Sequence, residues 1–367
     1  MHIAILYNRD HEQLEDDPGR EAREDVTRVA AGLAEVLTRG ATHAELVPVE
    51  GFGLEFVDAL ARMRPDLVIN LCESVAADSR AETIIPSLLD MLGLPYTGSP
   101  ALSLTLALHK DKAKEVLRAR GVSTPGFARL DSLEAVDGLE LPFPLIVKPS
   151  REDASVGITG DSVVNDREGL RRAVDAVLRT FHQPALIEQF IPGREIYVPL
   201  FGNTPRRALP LTEIRFGQLF ATRPNIVTYS GKWEANSPDY LNTPSGPCQL
   251  EDSVLEERIL RTAMDAFSAL DCQDYGRVDL RVTPEGVPYV IDINPNCDLH
   301  PDAGFAKAAR AAGMDYTTLA QRLVEIALER AHGHPIARRK GPGATRLPDS
   351  TNRNFLAGGA GVRDRAG

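Results

Sequence analysis

The sequence predicts an α/β protein of three domains: an N-terminal parallel α/β sheet domain, a small central lid domain and a larger C-terminal domain of mixed α+β structure. Three observations predict this fold class. A chain of 367 residues is too long for one compact core of ordinary size, so length predicts two or three domains. Short apolar runs alternate with helical stretches near the N-terminus, which favours a parallel sheet. The later strands occur in smaller α+β units.

The N-terminal domain is predicted over residues 1–109, and its first strand covers residues 2–7. The connection after this strand, residues 12–25, is dense in Glu, Asp and Arg. Loops in this position contact ligands in open α/β sheets, although a solvated acidic loop has the same composition. The other elements expected here are helices 23–39, 55–63 and 81–92 and strands 44–49 and 66–71.

The central domain is predicted over residues 110–191 and the C-terminal domain over residues 192–333. A helix over 102–120 ends at Gly121 and leads into the central domain. The tail, residues 334–367, has few apolar side chains, so we expect it to be flexible. The remaining expected elements are strands 144–149 and 185–190, helices 167–179, 252–270 and 315–331, and a hairpin over 275–293.

Composition excludes several classes of protein. With 43% hydrophobic and 25% charged residues and no long apolar run, we expect a cytoplasmic protein with no membrane contact. The net charge of −11 argues against a nucleic-acid partner, because phosphate binding requires a basic surface. The cysteines are far apart and have no zinc-ligand spacing, so reduced thiols are expected at Cys72, Cys248, Cys272 and Cys297.

The hairpin carries the most informative pattern. Side chains alternate along strands, so Arg277 and Asp279 share a face, and pairing across the turn brings Asp292 and Asn294 to that face. Two carboxylates and an amide oxygen are ligands suited to Mg²⁺. An exposed structural ion pair is the alternative, but it has no need of Asn294. The opposite face is predicted to be apolar, with Val278, Leu280, Val282, Ile291 and Ile293.

Two further segments have features of a nucleotide site. Lys148 ends an apolar strand and precedes a loop of small residues, which could cover phosphates with backbone N–H groups. The phosphate-loop pattern GxxxxGK[ST] is absent. Glu188 and Glu195 flank a strand-to-turn segment that is suited to contact adenine and ribose. Read alone, they are ordinary surface acids.

The order of these motifs resembles the ATP-grasp enzymes, and among them the D-alanine:D-alanine ligases, over residues 66–331. The resemblance implies the ATP-grasp fold and an ATP-dependent carboxylate-amine ligase, which forms an acyl phosphate and releases ADP and phosphate. The matching segments are Met91–Ser99, Asp111-Lys112, Val147–Glu152, Ser155–Gly157, Leu186–Glu188, Gly193–Glu195, Gly276–Asp279 and Asp292–Asn294.

The resemblance also implies roles for individual residues. Lys112 and Lys148 would bind the ATP phosphates, Glu188 and Ile191 the adenine, and Glu195 the ribose.

The reacting end of the site follows from the same resemblance. Arg277 would stabilise the developing oxyanion, Lys232 would lie on a closing loop, and Ser155 would be the retained loop serine. Two Mg²⁺ ions, with Mn²⁺ as an alternative occupant, would be held by Asp279, Asp292 and Asn294.

The substrate-binding segments depart from the family pattern. The loop serine that helps to orient the first D-alanine falls at Ala154, and the tyrosine after the loop lysine is Trp233. The run Pro295–Gly304 replaces the segment that binds the acceptor carboxylate, and no residue among Glu12, Glu15, Glu21 and Glu24 can be assigned to amine binding. Trp233 could instead be a core aromatic. Arg215, Arg223, His300 and Asp302 are the candidate substrate contacts.

We therefore predict a ligase that joins amino acids or amino-acid-like metabolites other than D-alanine. One alternative is an authentic D-alanine:D-alanine ligase of cell-wall synthesis, and another is a non-catalytic nucleotide-binding protein of the same fold. The expected partners are a small-molecule carboxylate and an amine; monomer and homodimer are both left open.

Overall fold

The computed structural model of the protein describes residues 1–9, 20–39, 42–51, 53–76, 78–152 and 155–333, with the side chains of residues 20–24 left out. The predictions for the tail 334–367, for Ala154 and for Glu12 and Glu15 lie outside the described residues, and those for Glu21 and Glu24 concern side chains that are not described.

The N-terminal domain is built on a three-stranded parallel sheet of order β2-β1-β3. Ile3, Ile5 and Tyr7 of the central strand face one side, whereas Ala4 and Leu6 face the other, and all five are buried. Helices on both faces explain this continuous burial. The elements in chain order are β1 (His2–Asn8), α1 (Arg20–Thr38), β2 (His43–Val49), α2 (Glu55–Met63), β3 (Leu67–Asn70) and α3 (Ile84–Leu92).

Two short helices, α4 (Ala101–Leu108) and α5 (Lys110–Ala119), replace the single helix predicted over 102–120. They meet at His109, whose ψ of 79° interrupts the helical backbone. The prediction of one helix was therefore wrong at this point. The break turns the first residue of α5, Lys110, towards the other domains.

The central unit is a four-stranded antiparallel sheet of order β4-β7-β5-β6, with one helix packed on it. Its elements are β4 (Phe127–Leu130), β5 (Leu145–Pro149), β6 (Val163–Val164), α6 (Arg167–Phe181) and β7 (Ala185–Gln189). Because β5 and β7 are neighbours, Lys148 pairs with Leu186 and Ile146 with Glu188.

The C-terminal unit contains a larger antiparallel sheet of order β11-β10-β8-β12-β13, with β9 paired to β8. Its strands are β8 (Arg194–Phe201), β9 (Arg207–Ala208), β10 (Thr212–Ile214), β11 (Ser245–Pro247), β12 (Tyr275–Val282) and β13 (Pro288–Asn294). Its helices are α7 (Tyr229–Trp233), α8 (Pro238–Leu241), α9 (Ser253–Ala269), α10 (Gly304–Ala311) and α11 (Tyr316–Gly333).

Packing crosses the predicted domain limits in two places. The buried faces of α10 and α11 join the core of the N-terminal sheet, where Phe305, Leu319 and Leu323 pack with Ile3 and Ile5. Helix α5 instead packs on the C-terminal sheet through its apolar residues. The three sheets follow the predicted order along the chain, and the boundaries near 109 and 191 stay predictions.

A buried ion pair fastens α11 to the rest of the molecule. Arg330 donates to both carboxylate oxygens of Asp274, each at 2.9 Å, and to the backbone oxygen of Tyr96 at 2.6 Å. Asp274 also accepts from the Gly98 N–H and from Asn203. One carboxylate therefore joins the N-terminal domain, the C-terminal sheet and the closing helix.

We expect Arg330→Met to lower the free energy of unfolding by about 3 kcal/mol, because it leaves the buried Asp274 carboxylate without its cation. Urea unfolding followed by circular dichroism measures this. Arg322→Met on the same helix is the matched control, since Arg322 pairs with Glu325 at an exposed position. An equal loss in both variants would contradict a structural role for the Asp274 network.

None of the helices within the described residues combines the length and apolar character needed to cross a membrane.

Candidate functional site

A cleft of about 750 Å³ lies between the central and C-terminal sheets. Its walls come from β5, β7, β8, β12 and β13, from the segment that joins β7 to β8, and from the chain around α7. Most of the residues predicted for the site line this one cavity: Lys148, Ser155, Glu188, Ile191, Glu195, Lys232, Arg277, Asp279, Asp292 and Asn294.

The hairpin brings its polar side chains together as its alternation predicts. Arg277 pairs with Asn294 across the strands, and Asp279 pairs with Asp292. The Asn294 amide nitrogen lies 3.2 Å from an Asp279 carboxylate oxygen, so the two side chains point into the same space. Two carboxylates and an amide at this distance fit the oxygen-ligand chemistry of Mg²⁺ or Mn²⁺.

A β-bulge alters the other face of the hairpin. After the Asp279–Asp292 pair the register shifts, so Leu280 faces Val290 and Ile291 is the additional residue. Ile291 is only partly buried and lines the cleft, so its predicted place on the apolar face was wrong. A bulge of this kind re-aims side chains beside a site.

Arg277 is held rigidly in the cleft. Its guanidinium donates two hydrogen bonds to Asp279, at 2.6 and 2.8 Å, and lies over the Tyr197 ring at 4.5 Å. Burial alone would lower the pKa of Arg277, but the neighbouring Asp279 carboxylate outweighs it and raises the pKa. A permanently charged, oriented donor of this kind suits the stabilisation of negative charge.

Lys110, not Lys112, reaches the carboxylates of the hairpin. The Lys110 ammonium lies 3.1 Å from Asp292 and its side chain is only 6% exposed. The Lys112 side chain is 52% exposed and pairs with Glu115 on the same helix. A helix turns about 100° per residue, so two positions along α5 bring the side chain to a different face. The prediction that Lys112 lies in the site was therefore wrong, and the lysine in that place is Lys110.

Lys110 also controls the charge of Asp292. Burial by itself would raise the pKa of the Asp292 carboxyl, but Lys110 and then Lys148 lower it below its usual value. Asp292 is thus kept as a carboxylate, the form that a metal ion requires.

Glu188, on β7 beside β5, contributes a buried carboxylate to the cleft. Its carboxylate lies 2.7 Å from the Lys148 ammonium and 3.3 Å from that of Lys114, and it is almost completely buried. Burial would raise the pKa of Glu188, but the two lysines lower it. Burial likewise lowers the pKa of Lys114 to about 8, although Glu188 opposes this effect. The structure places Lys114 in a contact that the sequence reasoning missed.

The segment between β7 and β8 is fastened to the C-terminal sheet by Arg281. This guanidinium donates to the Ile191 backbone oxygen at 3.0 Å and to the Glu195 carboxylate at 3.0 Å. The other Glu195 oxygen accepts from the Tyr197 hydroxyl at 2.8 Å. Ile191 and Glu195 therefore present fixed groups to the same end of the cleft, and Arg281 and Tyr197 are additional residues that the sequence reasoning did not identify.

The opposite end of the cleft contains Lys232, Trp233 and Ser155. Lys232 keeps access to solvent but is surrounded by the cleft walls, and this desolvation, followed by the charge of Arg277, lowers its pKa. Its ammonium lies 5.1 Å from the centre of the Trp233 ring. Ser155 has a φ of 62°, an uncommon value for a residue with a side chain.

A smaller cavity of about 140 Å³ adjoins this end. It reaches towards the N-terminal sheet and is bounded by Lys232, Trp233 and Arg277 on the cleft side. Burial raises the pKa of Asp298 in its wall. The other acidic side chains that line it are Asp25, Glu73, Glu82 and Glu152.

The four candidate substrate contacts separate into two pairs. His300 and Asp302 line the main cleft. Arg215 donates to the Pro247 backbone oxygen, and Arg223 lies 3.6 Å from Asp239. Neither arginine is among the residues that line the cleft.

Comparison with known proteins gives matches over most of the chain. A model of the family described as D-ala D-ala ligase C-terminus matches residues 122–325. The uncharacterized protein y4sG of Sinorhizobium fredii is 35% identical over 281 residues, which are 76% of this chain and 79% of that protein. A D-alanine–D-alanine ligase of Pelotomaculum thermopropionicum is 30% identical over 289 residues, which are 76% and 85% of the two chains.

Solved structures match as well. The D-alanine–D-alanine ligase from Bacillus anthracis superimposes with a TM-score of 0.69 at 24% identity, covering 90% of this chain and 98% of that chain. The same enzyme complexed with ATP gives a TM-score of 0.67 at 22% identity with the same coverage. At these identities the matches establish the fold, and they confirm the predicted ATP-grasp architecture.

Proposed function

Because the chain belongs to the D-alanine–D-alanine ligase family, we propose that it joins a carboxylate to an amine with consumption of ATP, and that its substrates are amino acids or amino-acid-like metabolites other than D-alanine. The ADP-forming ligase activity follows from the family. What we propose beyond this activity is the class of substrates.

One observation carries the proposal: an arginine, two carboxylates and two lysines meet in a single cleft. Arg277, Asp279 and Asp292 lie on one face of the hairpin, and Lys110 and Lys148 approach from two other elements. A protein that only bound nucleotide would have no use for a rigid arginine beside paired carboxylates. This supports catalysis over the alternative of a non-catalytic nucleotide-binding protein.

The nucleotide is proposed to lie along the cleft between the two sheets. Lys110 and Lys148 would contact its phosphates, and Ile191 and Glu188 would border the adenine. Glu195 would accept from the ribose hydroxyls while Arg281 holds its carboxylate in place. Asp279, Asp292 and Asn294 would hold Mg²⁺, which neutralises phosphate charge when bound.

The proposed reaction has two steps. In the first, a substrate carboxylate oxygen attacks the γ-phosphorus of ATP, and the bond between this phosphorus and the β-phosphate oxygen breaks. The products of this step are ADP and an acyl phosphate. The amine nitrogen then attacks the acyl carbon, phosphate leaves, and the nitrogen loses a proton. Arg277 would stabilise the tetrahedral oxyanion that forms when the amine attacks, and the walls of the cleft would limit hydrolysis by water.

The departure from D-alanine rests on the smaller cavity and its rim. Trp233 stands at the boundary of the two cavities, and the segment after β13 contributes Asp298 to both. Five carboxylates and two cationic side chains line the smaller cavity, which favours a substrate with a positively charged amino group. D-alanine also carries such a group, so the departure from it rests on Trp233, which stands where the related ligases have a tyrosine.

An authentic D-alanine–D-alanine ligase is the second candidate. The relative of that name from Pelotomaculum thermopropionicum, which is 30% identical over 76% of this chain, favours it. The two candidates share the nucleotide site and differ only in what enters the smaller cavity, so a substrate panel separates them.

Lys110 and Lys112 offer a matched pair of variants for the nucleotide site. We expect Lys110→Ala to raise the KM for ATP about tenfold or more, since a charge-assisted contact contributes about 1.5–3 kcal/mol. Lys112→Ala should leave the KM for ATP unchanged, because its side chain is solvent-exposed. Initial rates at varied ATP concentration measure both. The reverse result would restore Lys112 as the phosphate lysine.

The acyl phosphate can be trapped directly. The protein is incubated with Mg²⁺-ATP, one carboxylic acid at a time and hydroxylamine in place of the amine substrate. The proposed chemistry predicts a hydroxamate of the acid in amounts that match the ADP formed. ADP formation without hydroxamate, across a broad acid panel, would contradict an acyl-phosphate ligase, and absence of both would support a nucleotide-binding protein.

A further inference from the structure

Two histidines and a glutamate meet on the N-terminal sheet, away from the cleft. His2 is the first residue of β1 and pairs directly with His43, the first residue of β2. Glu45 follows two positions later on β2, so its side chain shares a face with His43. The cleft-side residues Leu71 and Glu73 instead follow the carboxyl end of β3. The group therefore lies at the other end of the strands.

The three side chains approach one another at distances close to those in a metal site. Their ligand atoms all lie within 4.8 Å of one another. The His2 Nε2 atom is 3.5 Å from a Glu45 carboxylate oxygen, and the His43 Nε2 atom is 3.9 Å from the same oxygen. Ligands around tetrahedral zinc, at bond lengths of about 2.0–2.2 Å, stand about 3.3–3.6 Å apart. Small side-chain rotations would complete this geometry.

Among the described residues, nothing hydrogen-bonds to the buried ring nitrogen of His2. This Nε2 atom is shielded from solvent, and the Glu45 oxygen lies nearby without closing a hydrogen bond. A buried polar atom without a partner costs free energy, and coordination of a cation would remove this cost. In a simple His–Glu ion pair, we would expect the ring nitrogen and the carboxylate oxygen to approach to hydrogen-bond distance. The His2 and Glu45 atoms stay 3.5 Å apart.

The backbone beneath the group is already fixed. The His2 N–H donates to the Asp66 carboxylate at 2.8 Å, and the Asp66 N–H donates back to the His2 oxygen at 2.8 Å. The His43 N–H donates to the Met1 oxygen at 2.9 Å. The backbone of such an anchored pair of strands loses little further freedom on binding.

We propose that His2, His43 and Glu45 form a binding site for a divalent transition cation such as Zn²⁺, which bridges the central strand β1 to the edge strand β2. Imidazole nitrogens prefer Zn²⁺, Ni²⁺ and Cu²⁺, whereas the oxygen ligands of the cleft prefer Mg²⁺, so the two sites select different ions. Three protein ligands leave a coordination position for water.

The test uses the full-length protein without a histidine tag, after dialysis against a chelator. Titration with Zn²⁺ in a calorimeter is expected to give one bound equivalent that depends on His43. His43→Gln and Glu45→Gln should each weaken binding about tenfold or more. Both side chains are solvent-accessible, so the variants should fold, as thermal melting without metal will verify.

Two control variants locate the bound ion. His182→Asn removes an exposed histidine at the end of α6, where the left-handed backbone tolerates asparagine, and should keep the Zn²⁺ equivalent. Asp292→Asn alters the cleft and should also keep it, so this outcome is independent of the ligase proposal. Zn²⁺ binding that survives in the His43 and Glu45 variants, or is lost in Asp292→Asn, would overturn the site, as would no measurable binding to the unaltered protein.

Discussion

Replacing Asp292 by asparagine is expected to lower the rate of ATP-dependent phosphate release by about three orders of magnitude. Asp292 faces Asp279 across the hairpin and lies 3.1 Å from Lys110. The substitution removes one of two carboxylates from the proposed Mg²⁺ ligands and takes the charge of Asp292 away from Lys110. Loss of metal-based charge stabilisation amounts to several kcal/mol, and each 1.4 kcal/mol is about tenfold in rate.

The rate of phosphate release should fall only when a carboxylate of the cleft is replaced. Asp265→Asn changes an exposed aspartate on α9 and should leave the rate unaltered. A high Mg²⁺ concentration is expected to recover part of the activity of Asp292→Asn but to leave that of the unaltered protein unchanged. If Asp292→Asn keeps more than about a tenth of the rate while its thermal melting is normal, Asp292 does not ligate an essential metal.

Replacing Arg277 by lysine is expected to lower kcat by about two to three orders of magnitude, the effect of removing one oxyanion donor from an enzyme site. The positive charge is retained, but a lysine cannot reproduce the two parallel hydrogen bonds to Asp279. The ammonium would also lose the stacked position over Tyr197. Because the oxyanion forms only during reaction, the KM for ATP should change much less than kcat.

Arg194 provides the matched control on the neighbouring strand β8. It makes a bidentate contact with Glu213, with both distances 2.7 Å, and it is not among the cleft-lining residues. Arg194→Lys should therefore keep its kcat. Equal losses of kcat in the two variants would indicate that loss of a sheet ion pair, and not loss of the oxyanion donor, explains the effect.

The hairpin was predictable because its geometry is local. Strand alternation and a short turn are enough to place Arg277 and Asp279 opposite Asn294 and Asp292, and the structure has this register. Ile291 was misplaced because a bulge has no signal in the alternation of apolar residues. The family resemblance, in turn, gave the fold and the ATP-dependent chemistry, which strand pattern alone does not contain.

The lysines of α5 were not correctly identified because side-chain direction in a helix depends on its start. Ala113 and Leu117 lie on the buried face of α5, with Lys110 and Lys114 on the same side at helical spacing. That spacing was the available signal. It favours Lys110 and Lys114 over Lys112 once the helix is known to begin after His109.

Contacts between distant parts of the chain could not be predicted from one sequence. The pairing of Arg281 with Glu195 spans 86 residues, and that of Arg330 with Asp274 joins the closing helix to the centre of the molecule. Each of these charged residues is unremarkable in its local sequence. Burial of a charge becomes visible only when the tertiary structure supplies its partner.

The most direct test of the central claim is phosphate release from Mg²⁺-ATP with amino acids and amines supplied singly and in pairs, D-alanine included, and with Asp292→Asn as the inactive control. A ligase with an altered substrate site predicts release that requires a pair other than D-alanine and disappears in the control. Release that is greatest with D-alanine alone, with D-alanyl-D-alanine as its product, would contradict the altered substrate site and identify a D-alanine–D-alanine ligase.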